Sequence, residues 1–241
     1  MRKYTRTCKT AASIVLLVLL ALFGAILLNR RERSRAERLV AQLRQLDGAT
    51  AAINATQLIR RFRGQKVELA PQEFGSGNVV LGISPCSDAD AIYGINVGPT
   101  YKLNRIAAYF PGLGRFGLHP WDTGASLFFK NQKLICFSQT VRTWRPNGDA
   151  IFAQAYMIFL PLTGSDDAKT YNVSSMRLRG NIYRLEASVS SKSTPQERER
   201  AFTIDLRCVT SSTGCVSPAE IMPQSWQRYL QTSATTGDPM Q

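Results

Sequence analysis

The stretch AASIVLLVLLALFGAILL, Ala11 to Leu28, is 18 residues long and carries no charge. At about 1.5 Å per residue it makes a helix of about 27 Å, close to the ~30 Å hydrocarbon core of a bilayer. A helix on the core of a soluble domain keeps a polar stripe for solvent, and this run has none. The apolar region of a cleaved signal peptide is usually shorter, about 7–15 residues. The run also ends Ile26-Leu27-Leu28-Asn29-Arg30, with no A-x-A-like cleavage site and no following lipid-acceptor cysteine, since Cys8 precedes it. The run therefore reads as an uncleaved signal-anchor, and the rest of the chain as something tethered to it.

Charge sharpens that division. Residues 1–66 hold 14 Lys/Arg against 3 Asp/Glu, whereas residues 67–241 hold 16 against 14. Most of the formal +13 therefore flanks the apolar run, and the folded part is nearly neutral. A nucleic-acid-binding domain carries its basic patch on the domain itself, so that class is excluded.

The two flanks carry Arg2, Lys3, Arg6 and Lys9 on one side and Arg30, Arg31, Arg33, Arg35 and Arg38 on the other. Positive-inside counting gives no decision between them. The five arginines form a collar suited to anionic lipid headgroups. Cysteine usage does favour an orientation. Cys86, Cys136, Cys208 and Cys215 form an even set in the main domain, as an oxidising compartment allows. Cys208 and Cys215 suit a small-loop disulfide, which leaves Cys86 with Cys136. The expectation is a cytoplasmic tail over 1–10, the anchor over 11–28, and an extracytoplasmic domain.

Along the chain, Leu39, Val40, Leu43 and Leu46 repeat at helical spacing, with Asp47-Gly48 as a stop. Thr50 caps a second helix whose Ala52, Ala55, Ile59 and Phe62 share a face and whose end carries Arg60, Arg61 and Arg63. Residues 29–66 thus read as a helical pair closed by Gly64. From Val67 to about 230 the pattern becomes sheet-rich. GNVVLGIS and AIYGINV read as strands, and YKLNRIAAYF as a helix burying Leu103, Ile106, Ala107 and Phe110. SLFFKNQKLICFSQTV reads as a hairpin turning at Asn131-Gln132, and DAIFAQAYMIFLP as a central strand. Tyr183, Leu185, Ala187 and Val189 alternate with polar residues, as do Phe202, Ile204, Leu206 and Cys208. These two read as an antiparallel pair joined by the polar loop SSKSTPQERER. A helix capped by Ser217 and Pro218 follows, and 231–241 reads as a disordered tail. The fold class is α+β: an N-terminal transmembrane helix, a helical pair, then a mainly antiparallel sheet.

Candidate chemistry is sparse. FPGLGRFGLHPW contains a G-x-G-x-x-G at Gly112, Gly114 and Gly117. A dinucleotide loop follows a strand, opens a helix and has an acid about 20 residues on. Here a helical pattern ending in Pro111 precedes it, Pro120 follows it, and Lys133–Gln139 contains no acid. His119 is the sole histidine, which excludes a histidine-rich metal site. With Asp122 it is the only base-and-acid couple for an anchored hydrolase, yet no nucleophile motif accompanies them. Asp166-Asp167 lacks the ligand spacing of a calcium loop. No catalytic, cofactor or metal residue is assigned.

The order of an apolar segment, two helices joined by LDGAT, and hairpins such as ASLFFKNQKLICFS resembles small bacterial envelope proteins of the SmpA/OmlA outer-membrane-assembly type. Uncharacterised single-pass envelope proteins share the layout. The resemblance covers residues 36–144 and implies two helices packed on an antiparallel sheet. The chain departs from it in having an anchor where that family has a lipobox, and in a further sheet region from 150 to 215. No functional residue carries over. The functional expectation is a non-catalytic envelope protein whose domain binds a protein partner, with no cofactor. The alternatives are the His119/Asp122 hydrolase and a pilin-like subunit, the latter without the leader glycine and early acid of that class.

Overall fold

The computed structural model describes residues 2–46, 55–62, 65–66, 86, 89–99, 101–145, 149–159, 171–178 and 182–236. The expected strand GNVVLGIS, the turn Asp47-Gly48, the Thr50 cap and Asp166-Asp167 lie outside them.

Helix α1 spans Arg2–Arg44, 43 residues without a break. No glycine or proline occurs between Leu28 and Leu46. The intervening Arg, Glu, Ala, Leu and Gln are good helix formers, so nothing stops the helix where the apolar run ends. The first member of the expected helical pair is therefore the continuation of the apolar helix. Nothing in the most apolar stretch of α1 is buried, and it is long and apolar enough to cross a membrane. Beyond it Asn29, Ala36, Leu39, Val40, Leu43 and Leu46 are all buried. One rod thus has two surfaces in sequence: apolar all round, then amphipathic against a core.

Helix α2 (Ala55–Phe62) adds Leu58 and Phe62 to that core. Leu58 is fully buried where the sequence pattern favoured Ile59, which is only half-buried.

The strands are β1 (Gln65–Lys66), β2 (Ala91–Val97), β3 (Trp121–Lys130), β4 (Lys133–Trp144), β5 (Ala150–Ile158), β6 (Tyr171–Leu178) and β7 (Ile182–Ser190). They form one sheet in the order β1-β2-β3-β4-β5-β7-β6. Every pairing is antiparallel except β5 with β7. The β3–β4 turn holds Asn131 and Gln132 at φ 50° and 62°, the paired left-handed geometry of a two-residue hairpin. β5 is central, as its continuous apolar run implied.

The expected pairing of 183–189 with 202–208 does not form. β7 pairs with β5 and β6. The polar loop contains helix α4 (Pro195–Ala201), started by a capping box: Thr194 accepts from the Glu197 backbone and Glu197 accepts from the Thr194 backbone. Such a reciprocal cap with proline at the first turn favours helix over loop. Residues 202–207 then run without strand pairing, yet Phe202, Ile204 and Leu206 are buried. The alternation recorded a half-buried segment; it did not name a ladder partner.

Helices α5 (Pro218–Ile221) and α6 (Pro223–Thr236) follow, divided at Pro223, which cannot donate the next helical bond. Ser217 makes no side-chain cap, and the carboxylate of Glu220 instead accepts from the Val216 N–H at 2.8 Å. Residues 231–236, expected as disordered tail, are the last turns of α6.

One face of the sheet carries the main core with α1, α2 and the C-terminal segments. The other carries a smaller cluster of Phe128, Ile135, Cys136 and Tyr156 beside Cys86. Cys86 is joined to Cys136 and Cys208 to Cys215, with Cα separations of 5.8 and 4.8 Å. Closing the short Cys208–Cys215 loop contributes about 2–3 kcal/mol by restricting the unfolded chain.

Gln139 of β4 is fully buried, and neither atom of its amide finds a partner among the described residues. It lies between Ala125 of β3 and Ala155 of β5, small residues that leave it room on the main-core face. An unpaired buried polar group costs about 1–3 kcal/mol. Gln139→Met keeps the length and removes both polar atoms. It is expected to raise stability by about 1–2 kcal/mol, read as a higher melting temperature. A lower one would show that the amide is paired internally.

Candidate functional site

Helix α1 fixes the direction of the sheet. At Asn29 its side chain donates to the Gly117 carbonyl at 2.7 Å and accepts from the Trp121 indole N–H at 2.8 Å. Gly117 and Trp121 lie just before and at the start of β3. At the other extreme Arg44 donates to the Phe202 carbonyl at 2.7 Å, just past α4. The sheet therefore has a near end beside Asn29 and a far end bearing the Asn131-Gln132 turn and α4. Helix α3 (Tyr101–Tyr109), the 3-10 helix Pro111–Phe116 and the start of β3 lie at the near end.

The glycine motif is explained here. Pro111–Phe116 coils as a 3-10 helix and Gly117 closes it at φ 73°. A Cβ at Gly117 would stand 2.3 Å from the Thr210 carbonyl oxygen, and one at Gly114 would stand 2.6 Å from Cε1 of His119. From the opposite side Gly214, inside the Cys208–Cys215 loop, brings the backbone to His119, where a Cβ would meet Cε1 and Nδ1 at 3.1 Å. His119 is thus a buried plug between two glycines, with Nε2 2.9 Å from the Ser211 carbonyl. These glycines admit a disulfide loop, not a pyrophosphate. Gly112, with nothing within 4 Å of a Cβ, has no such duty.

A cavity of about 440 Å³ opens beside this plug, between α3 and the ends of β3 and β4. Ala107, Ala108, Pro111, Leu118 and Trp144 supply apolar lining, while Arg105, Asp122 and Arg145 supply charge. Asn104 clamps α3 over it, donating to the Trp121 carbonyl at 2.9 Å and accepting from the Trp121 N–H at 3.3 Å. His119 and Asp122 both line this space, yet they hydrogen-bond elsewhere. Asp122 takes an ion pair from Arg142 at 2.8 Å, and the imidazole faces the Ser211 carbonyl. The structure therefore brings the two candidate residues to one cavity without making them an acid–base couple.

The arginine collar divides. Arg33 is half-buried and donates to the Thr210 hydroxyl at 2.8 Å, tying α1 to the disulfide loop. Arg35 pairs with Glu32 at 2.7 Å along the helix. Arg30, Arg31, Arg35 and Arg38 are exposed. Only part of the collar is thus presented outward, a split that helical spacing alone does not reveal.

A polar cluster lies on the second sheet face, unmarked by any sequence motif. Buried Arg184 pairs with Glu186 and donates to Gln154 at 3.2 Å. Tyr156 lies beside them, its hydroxyl pushed well above its ordinary pKa by burial and then by the Glu186 carboxylate. With the charges mutually paired, the cluster is a structural network. Cys208, Cys215 and Glu220 also lie close together, but the two sulfurs are joined and offer no thiolate to a metal.

No protein-family model, curated protein or solved structure matches the chain.

Proposed function

We propose that this chain is a single-pass membrane protein whose extracytoplasmic domain recognises another envelope protein, taking an apolar side chain of that partner into the cavity beside α3. The apolar helix and the disulfides of the domain fit such a placement. The observation that carries the recognition reading is the state of the cavity's polar groups. His119 is spent on a backbone carbonyl and Asp122 on Arg142, so a mostly apolar concavity with a charged rim is left. Such a surface orients and holds a ligand without supplying a proton shuttle.

The test uses the full-length chain in intact membranes, with a photocrosslinker in place of exposed Arg105. A protein adduct is expected. Ala108→Trp fills the cavity from an exposed position and is expected to reduce the adduct about tenfold, the effect of ~1.4 kcal/mol. An adduct undiminished by Ala108→Trp would overturn the assignment of the cavity. Turnover of an ester or peptide by the purified chain, lost in Asp122→Asn with the fold retained, would establish the hydrolase in its place.

A further inference from the structure

Helix α3 presents its apolar face the wrong way for a core. Of the expected buried residues Ala107 is buried and Leu103 half-buried; Ile106 and Phe110 are 48% and 63% exposed, and Tyr109 beside them is 67% exposed. Phe116, in the adjoining 3-10 helix, is 53% exposed. Three of these four are aromatic, on one short segment. Residues 101–116 hold Lys102, Arg105 and Arg115, all exposed, and no acid. Arg105 lies over the Tyr109 ring at 5.6 Å.

The position of this ridge says what covers it. Phe116 precedes Gly117, whose carbonyl is bonded to Asn29, the first residue after the apolar run. Phe110 stands about 12 Å from Phe116, six steps at the ~2.0 Å rise of a 3-10 helix. On α1 itself Leu22, Ala25 and Ile26, which share the Asn29 face, are half-buried, whereas Ala11–Ala21 are exposed. The near end of the domain is thus continuous with the last two turns of the apolar helix.

The geometry points to an interfacial membrane-docking surface: Ile106, Tyr109, Phe110 and Phe116 enter the headgroup and upper acyl region of the bilayer that α1 spans, while Arg30, Arg31, Lys102, Arg105 and Arg115 meet anionic headgroups. Aromatic residues with flanking cations are the side chains suited to that boundary, and amphipathic segments bury about 5–10 Å into it. This rests on α1 being membrane-spanning. The domain then stands upright on the membrane, held by two attachments, with the α3 cavity at the lipid surface.

The experiment takes the full-length chain with Cys8→Ser, reconstituted in phosphatidylcholine/phosphatidylglycerol vesicles. Single cysteines at Phe110→Cys, Phe116→Cys, Val18→Cys and Lys192→Cys carry an environment-sensitive fluorophore. Lys192 lies past the far end of β7, about 30 Å from the near end. Labels at 110 and 116 are expected to shift to shorter wavelength and to be quenched at least twofold by acyl-chain-brominated lipid, with 192 unaffected. Labels at 110 and 116 as wet as 192, with 18 quenched, would overturn the docking surface and leave the anchor standing. Loss of quenching at 18 as well would remove the anchor on which it rests. Labels wet in vesicles but shielded in native membranes would assign the ridge to a protein.

Discussion

Replacing Asn29 with leucine is expected to lower the stability of the domain by about 2–6 kcal/mol, although it merely lengthens the apolar run. The side chain satisfies two groups that have no access to water: the indole N–H of fully buried Trp121 and the carbonyl of Gly117. Leucine leaves both unpaired, at about 1–3 kcal/mol each. Thermal unfolding of the full-length chain in detergent is expected to show a fall of about 5–15 °C for a domain of this size. The double variant Asn29→Leu/Trp121→Phe removes donor and acceptor together. Its loss is expected to be smaller than the sum of the single losses by about 1–2 kcal/mol, the signature of a direct contact. A melting temperature within about 2 °C of the parent for Asn29→Leu would mean that α1 and the domain are not coupled through this residue.

Gly117→Ala is expected to cost about 3–5 kcal/mol, combining strain at positive φ with overpacking. The added carbon would stand 2.3 Å from the Thr210 carbonyl oxygen at a φ of 73°. The neighbour is backbone, so relief requires moving the Cys208–Cys215 loop or unwinding the 3-10 helix. Gly112→Ala, in open space within the same motif, is expected to lie within about 0.5 kcal/mol of the parent. Equal effects at the two glycines would refute the packing account of the motif. Chemical denaturation of the two variants side by side gives the comparison directly.

Features that depend on one element's own periodicity are legible in the residues alone. The uncharged run from Ala11 to Leu28 and the Leu39, Val40, Leu43 face each need only helical spacing to be read. The Asn131-Gln132 hairpin and the continuous apolar strand β5 are equally local. Alternation also identified Phe202, Ile204 and Leu206 as a buried face, and failed only at naming their neighbour. That choice is made at long range, because β7 satisfies its backbone on β5 and β6 and leaves none for 202–207.

How the elements meet is visible only in the folded chain. In sequence His119 and Asp122 read as a couple and Gly112, Gly114 and Gly117 as a motif. In space the partner of Asp122 is Arg142, across the β3–β4 ladder, while Ser211 and Thr210 are brought to His119 and Gly117 by a disulfide loop about 90 residues downstream of the glycines. Asn29 reads as a polar flank and is a buried junction; Ile106 and Phe110 of α3 read as core and point outward. A hydrogen bond or a packing face needs a second surface, and periodicity encodes only the first.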